Sequence, residues 1–139
     1  MLFRSMTSDP LPGTIPHTVM LHVAFGDHQV ANVTAEVEAR TIGARVWQPA
    51  LAAGRSPDLT PFWGLTGAPD GWDGSVLVMW DAGTPVPPLG NLPPRPPTYG
   101  DDPHEFPRRT PAAQLQKARF LRPDGRFSDT CAGAPCVAT

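Results

Sequence analysis

The segment from residue 18 to residue 43, TVMLHVAFGDHQVANVTAEVEARTIG, constrains the fold more than any other part of the chain. Its apolar run over residues 18–24 shows little polar alternation, which is typical of a parallel strand covered on both faces. Gly26, Asp27 and His28 then interrupt the run, and helical periodicity follows. The pattern predicts a strand, a polar turn and a helix. It places Asp27 just past the carboxyl end of a buried strand, where open α/β sheets carry their binding and catalytic groups.

The helix predicted after this turn has one apolar side. Val30, Val33, Val37 and Ala44 recur near that side, the charged residues between them point elsewhere, and Gly43 is placed as a terminator. We therefore expect a helix that ends near residue 43 and whose apolar side carries the three valines.

Two further elements are predicted in the rest of the chain. Residues 74–81, GSVLVMWD, read as a second strand, and a helix runs from Pro111 to about Leu121 with Thr110 as its N-cap. Strands and helices of this kind indicate an α/β fold. Because two strands and two helices leave sheet faces and edges uncovered, we expect an incomplete domain, with residues 1–17 as the leader of a truncated upstream part.

Proline is unusually frequent in this chain and is concentrated between the predicted second strand and the last helix. The sequence has 19 Pro and 13 Gly among 139 residues, well above the usual shares of about 5% and 7%. Fixed φ angles and missing N–H donors exclude a helix or a central strand over residues 85–110. This segment is either an ordered surface loop or a flexible arm.

The charge and the sequence motifs limit the classes of partner and cofactor that we expect. Lys and Arg number 11 against 13 acidic residues, the net charge is −2 and there is no basic stripe, which argues against a nucleic-acid partner. The glycines form no dinucleotide or phosphate motif, so no cofactor is expected. The amino terminus has no apolar stretch long enough for a signal peptide or a membrane span.

The cysteines could form a disulfide, and the histidines could bind a metal ion. Cys131 and Cys136 bracket Ala-Gly-Ala-Pro and either close a small disulfide, which would favour an exported protein, or stay as free thiols. We prefer the disulfide. Metal ligation is the rival use of the histidines, but their spacing is not diagnostic and no metal site is predicted. The residues of suitable type are His22, Asp27, His28 and His104.

From about residue 6 to residue 136 the chain resembles the carboxyl-terminal part of a bacterial α/β-hydrolase-fold family of larger proteins. The stretches that carry the resemblance are MTSDPLPGT (6–14), HVAFGDHQVANVTAEVEARTIGA (22–44), VMWDAGTPVPP (78–88), DPHEFPRR (102–109) and QKARFLRPDG (116–125).

This resemblance implies the roles of two residues. The strand–Gly–Asp–Val–helix unit late in the hydrolase sheet supplies the catalytic acid, and Asp27 with Val30 matches it. The catalytic histidine follows the last strand on a loop, and His104 lies on such a loop after the second predicted strand. The resemblance further implies a mostly parallel sheet in which residues 18–84 form a late strand–helix–strand unit, 85–110 a loop with the histidine and 111–139 a terminal helix and tail.

A serine hydrolase also needs a nucleophile, which belongs on a Gly-x-Ser-x-Gly elbow ahead of the acid. No serine in this sequence has the flanking glycines. We therefore expect the chain alone to be inactive and its parent to act on an ester or lipid-like substrate. His28, Phe62 and Trp63 are the candidate substrate contacts, although packing against the sheet is the default explanation for the two aromatic residues.

The alternative class is a non-catalytic binding module or remnant, in which Asp27 only caps the helix and the Pro-rich arm contacts a partner. Geometry discriminates between the two hypotheses. The hydrolase hypothesis requires the side chains of Asp27 and His104 to approach within about 2.6–3.2 Å, whereas the alternative does not.

Overall fold

The computed structural model describes residues 2–90 and 92–139 of the chain, so Met1 and Asn91, which fall within the predicted leader and Pro-rich loop, lie outside the described residues. The elements in chain order are α1 (Leu2–Met6), β1 (Met20–Ala24), α2 (Asn32–Thr41), β2 (Arg45–Trp47), β3 (Gly67–Ala68), β4 (Val76–Asp81), α3 (Phe106–Arg109), α4 (Pro111–Phe120) and β5 (Cys136–Val137).

The strands form one five-stranded sheet in which every pairing is parallel, with β1, β4, β2 and β3 in that order. β1 runs along β4 from Met20 to Ala24. On the other edge of β4, β2 pairs with its start and β5 with its end at Asp81. The predicted α/β class with a mostly parallel sheet is confirmed. The two predicted strands are present, and three shorter strands join them.

β4 is the central strand, with β1 on one edge and β2 and β5 on the other. Both of its faces are buried. Leu77 and Met79 face a core that contains α2, whereas Val78 and Trp80 face a second core that contains α4. All four side chains are at most 1% exposed. These two layers explain why β4 is apolar without alternation, the pattern that predicted coverage on both faces for residues 18–24.

The helix after β1 packs differently from the sequence-based expectation. Val33 and Val37 are 60% and 51% exposed, whereas Ala35 and Ala39 are buried against the sheet. The predicted valine side of the helix therefore faces solvent. Alanine has almost no side-chain bulk, so the backbone of α2 can approach the sheet more closely than it could with valine at the contact.

The Pro-rich segment is mostly irregular, as its composition predicts, but it is not irregular throughout. Residues 85–105, apart from the masked position, contain no helix or strand, whereas α3 forms one helical turn directly after them. Pro107 lies in the first turn of α3, where a missing N–H breaks no helical hydrogen bond. The expectation that residues 85–110 exclude any helix was therefore wrong at Phe106–Arg109.

The last helix begins where the sequence indicates, although its cap works differently. Pro111 is its first residue and Thr110 its N-cap, but Thr110 makes no side-chain cap bond. Its hydroxyl donates to the carbonyl of Phe106 at 2.9 Å and accepts the N–H of Thr139 at 3.2 Å. Thr110 thus joins α3 to the end of the chain.

The carboxyl-terminal tail contains a disulfide and joins the sheet through β5. Cys131 and Cys136 are bonded, which confirms the predicted pairing, and the fully buried Cys136 belongs to β5. Among the described residues, no helix has the length and apolar character needed to cross a membrane.

Candidate functional site

The polar turn after β1 is fixed by its own residues. Gly26 has a φ of +78°, a conformation that favours glycine, and a Cβ there would lie 2.9 Å from Oγ1 of Thr84. The side chain of Asn32 accepts the N–H of Gly26 at 2.9 Å and donates to the carbonyl of Ala24 at 2.6 Å. These contacts aim the next residue, Asp27, away from the strand and toward the Pro-rich loop.

The two carboxylate oxygens of Asp27 have different partners. Oδ1 accepts the backbone N–H groups of Gln29 at 2.7 Å and Val30 at 2.9 Å. Oδ2 lies 2.7 Å from Nδ1 of His104, so the contact that the hydrolase hypothesis requires is present. Asp27 is only 7% exposed. Because α2 begins later, at Asn32, Oδ1 stabilises the turn and does not cap the helix itself.

The hydrogen-bond partners of His104 select one tautomer. A carboxylate can only accept a hydrogen bond, so Nδ1 carries the proton that faces Asp27. An arginine can only donate, and Nη2 of Arg108 lies 3.4 Å from Nε2, which therefore presents its lone pair. This is the tautomer that a general base needs when a carboxylate orients it from behind.

A second aspartate, Asp102, joins the loop of His104 to the turn of Asp27. Its Oδ1 accepts the N–H of His104 at 3.0 Å and the N–H of His28 at 3.2 Å, and its Oδ2 accepts Nε2–H of Gln29 at 2.8 Å. Partial burial acts to raise the pKa of Asp102, but these hydrogen bonds outweigh it and hold that pKa below its ordinary value. Sequence reasoning missed Asp102, since only its position two residues before His104 hinted at a role.

An aspartate at the end of β4 forms a partly buried ion pair that the sequence did not reveal. Arg55 donates from Nε to Oδ2 of Asp81 at 2.6 Å and from Nη2 to Oδ1 at 2.9 Å, and it also donates to the carbonyl of Thr84. Burial opposes ionisation, yet Arg55 and the N–H of Gly83 together lower the pKa of Asp81. The guanidinium lies 4.6 Å from the ring centroid of Phe25, the residue directly before Gly26. The ion pair therefore packs against the start of the turn that carries Asp27.

A cavity of about 510 Å³ opens beside Asp27. Phe62, a predicted substrate contact, lines it and is 8% exposed, and His28 lines it as well. Trp63 does not belong to the lining and is 70% exposed, with its carbonyl accepting a hydrogen bond from Arg40. The rest of the lining comes from the sheet, the start of α2, the loop after β2 and the Pro-rich segment. Its apolar members include Phe25, Val33, Leu51, Met79, Pro87, Pro88, Leu89, Leu92, Pro93 and Pro94, and its polar members are Gln29, Asn32, Glu36, Ser56 and Asp58.

His104 is not part of the cavity lining, and it approaches Asp27 from outside the cavity. The predicted site residues therefore form two groups. Asp27 and His104 form the hydrogen-bonded pair, and His28 and Phe62 line the cavity, as Asp27 also does. Nε2 of His28 is buried without a hydrogen-bond partner among the described residues.

His22 lies apart from this site, on β1 beside α4. The amide nitrogen of Gln116 donates to the carbonyl of Ser128, so its oxygen faces Nε2 of His22 at 2.7 Å and accepts a hydrogen bond from Nε2–H. Nδ1 of His22 is buried without a partner among the described residues. Burial lowers the pKa of His22 to about 4, which makes the ring neutral at pH 7.

The described part of the chain contains no group of three or more His, Cys, Asp or Glu side chains arranged to hold a metal ion. Comparison of the chain with protein-family models, with curated proteins and with solved structures finds no match in any of the three. The similarity to α/β hydrolases therefore stays a prediction from sequence motifs, alongside the geometry of Asp27 and His104.

Proposed function

We propose that this chain supplies the catalytic acid, Asp27, and the general base, His104, of a serine-type α/β hydrolase that cleaves an ester or lipid-like substrate. The observation that carries the proposal is the 2.7 Å contact between Oδ2 of Asp27 and Nδ1 of His104, with Nε2 left as an acceptor. A hydrogen-bonded, nearly buried carboxylate beside an imidazole in this tautomer is the arrangement that activates a hydroxyl nucleophile.

In this function Nε2 of His104 takes the proton of the serine hydroxyl as the oxygen attacks the ester carbonyl. The same proton then passes to the leaving alkoxide, and a water molecule repeats the cycle to release the acid. Asp27 keeps its negative charge throughout and stabilises the imidazolium that forms. Oδ1 of Asp27 is held by two backbone N–H groups, so the carboxylate is already oriented before substrate arrives.

The chain supplies no nucleophile in this function. Ser56 lines the cavity, but it lacks the flanking glycines of an elbow and its hydroxyl accepts the N–H of Asp58 at 3.2 Å. We propose that an upstream segment carries the elbow and continues the sheet. The pairing of β1 supports this proposal, since β1 pairs with β4 alone within the described residues and its other edge is open to a further strand.

The cavity supports the substrate class. Apolar residues make up most of its lining, which also contains the carboxylates of Asp27, Glu36 and Asp58. An acyl or alkyl group bound there would lie next to Asp27, with His104 on the far side of that carboxylate. Phe62 and His28 are the proposed contacts. Trp63, which is exposed outside the cavity, would contact only a substrate that extends beyond it.

The decisive experiment is to sequence the source locus upstream of Met1 and to express the complete reading frame. We expect a frame that encodes a Gly-x-Ser-x-Gly elbow and a product that hydrolyses p-nitrophenyl esters. Asp27→Asn and His104→Ala should each lower kcat/KM by about 10³–10⁴-fold, whereas Asp124→Asn, on an exposed loop, should not. Full activity in both site variants would overturn the acid–base assignment.

The binding-module alternative has one observation in its favour. Leu89 and Leu92, on the Pro-rich segment, are 80% and 71% exposed. A locus with no elbow upstream, together with a chain that is stable and inactive on its own, would favour this alternative. Replacing both leucines by serine should then weaken capture of a partner and leave the fold unchanged.

A further inference from the structure

We propose that Asp102 is a positioning residue that holds His104 against Asp27. This inference rests on the proposed function, because it assigns to Asp102 the task of keeping the acid and the base together. Asp102 need not touch substrate. Its role is to join the turn that follows β1 to the loop that precedes α3.

The geometry of Asp102 is unusual in that one oxygen spans both loops. Oδ1 accepts the N–H of His104, the base itself, at 3.0 Å, and the N–H of His28, the residue directly after the acid, at 3.2 Å. Oδ2 adds a third bond, from the side chain of Gln29 at 2.8 Å. Three donors on one carboxylate fix its orientation and, through it, the separation of the two loops.

The loop of His104 needs such a restraint. Within residues 85–105, apart from the masked position, there is neither helix nor strand, so the backbone before His104 gains no order from a ladder of hydrogen bonds. Fixing a free backbone residue costs conformational entropy. Hydrogen bonds to a charged acceptor are about twice as strong as neutral ones, and they oppose this cost directly at the base.

The neighbouring aspartate provides a matched control. Asp101 carries the same charge one residue earlier, but it is exposed and its side chain makes no hydrogen bond among the described residues. A variant at Asp101 therefore changes the net charge and the local sequence as much as a variant at Asp102 does. It leaves the bonds to His28, Gln29 and His104 in place.

The test is ¹⁵N NMR of the histidine side chains in the chain as it stands, at pH 7, in the wild type and in Asp102→Ala, Asp102→Asn and Asp101→Ala. The wild type and Asp101→Ala should show His104 with its proton on Nδ1 and slow exchange of that proton with solvent. In Asp102→Ala the Nδ1 proton should exchange at least about tenfold faster, and the Nδ1–H tautomer should lose its predominance.

Asparagine at position 102 retains one acceptor oxygen without its charge, so it should restore part of the effect, with exchange about threefold faster than in the wild type. If Asp102→Ala does not fold, this variant decides the question. If the Nδ1 proton of His104 exchanged at the wild-type rate in the folded Asp102 variant that is measured, the positioning role would be overturned. A wild type without a protonated Nδ1 would instead contradict the pair of Asp27 and His104, and with it the proposed function.

Discussion

At the scale of single residues, Asp27 combines two roles that the sequence presented as alternatives. One oxygen binds the backbone of its own turn and the other contacts His104, so the carboxylate is both a local structural element and a candidate catalytic group. The two roles reinforce each other. A carboxylate held from one side needs little reorganisation to orient an imidazole on its other side.

Replacing Asp27 by Asn tests this dual role. The amide oxygen can keep the two bonds to the turn, but the amide nitrogen then faces Nδ1–H of His104, and two donors cannot bond. We expect His104 to change to the Nε2–H tautomer, which is detectable by ¹⁵N NMR, and the free energy of unfolding to fall by about 1–3 kcal/mol. Asp124→Asn is the control. Persistence of the Nδ1–H tautomer in Asp27→Asn would mean that Asp27 does not determine the tautomer.

His22 gives the chain a pH-dependent stability. The ring has a pKa near 6.5 in the unfolded chain and about 4 when folded, because burial disfavours its charge. The unfolded state therefore binds the extra proton first as the pH falls. Stability is complete above about pH 6.5, declines toward pH 4 and loses about 3 kcal/mol from this residue over that interval.

Urea unfolding measured from pH 7 to pH 4 checks this prediction. The lowered pKa values of Asp81 and Asp102 act mainly below pH 4. Burial raises the pKa of Glu36, which opposes the effect of His22 within this interval but contributes equally in all the proteins compared. His22→Gln keeps a donor for Gln116 and removes the titration, and its pH slope should be smaller than that of the wild type. His17→Gln, at an exposed position, should keep the wild-type slope, and equal slopes in all three proteins would contradict the assignment to His22.

At the scale of elements, the turn between β1 and α2 depends on Gly26. Gly26 and Gly43 both have positive φ, +78° and +71°, so alanine at either position is strained. Only at Gly26 does a Cβ also meet Thr84, at 2.9 Å, whereas nothing lies within 4 Å at Gly43. We expect Gly43→Ala to cost about 1 kcal/mol of unfolding free energy and Gly26→Ala about 1–2 kcal/mol more.

Equilibrium urea unfolding of the two variants gives the comparison. Combining Gly26→Ala with Thr84→Ala should cost less than the sum of the single changes, since the second change removes the atom that the new methyl group meets. Equal costs for the two glycine variants would show that backbone strain alone matters and that the contact with Thr84 does not.

The elements that the sequence predicted are the long ones. β1 and β4 are uninterrupted apolar runs, and α2 and α4 have clear ends, so local patterns suffice. β2, β3 and β5 have two or three residues each, too few for any periodicity, and they form only because β4 offers an edge or because a neighbouring strand does.

The same limit applies to the site. The pairing of Asp27 with His104 was predicted from the order of acid and base that the hydrolase resemblance implies, and the contact is present. The bonds of Asp102 to His28 and Gln29, and the pair of Arg55 and Asp81, join residues that are distant in sequence and carry no local pattern. Such contacts depend on how distant loops fold together, and no short segment of the sequence reveals them.

At the scale of the whole molecule, the two ends of the described chain meet the sheet in different ways. β1, near the beginning, takes one full edge of β4, whereas β5, at the end, pairs only with the last residues of β4. The tail adds a backbone bond from Ala138 to the carbonyl of Asp81 at 2.9 Å. β5, like β3, adds only two residues to the sheet, and it pairs with Asp81, the acidic partner of Arg55.

The disulfide makes this small strand stable, which leads to a prediction for the whole chain. Closing the short loop from Cys131 to Cys136 removes chain entropy from the unfolded state worth about 2 kcal/mol. A reductant should therefore lower the urea midpoint by the equivalent amount and speed hydrogen exchange at the N–H of Ala138, while the exchange of β1 amides changes in proportion to global stability alone. The double variant Cys131→Ser/Cys136→Ser should match the reduced wild type and ignore the reductant. If reduction left both the midpoint and Ala138 exchange unchanged, the tail would be held by its contacts with β4 and Thr110 and not by the disulfide.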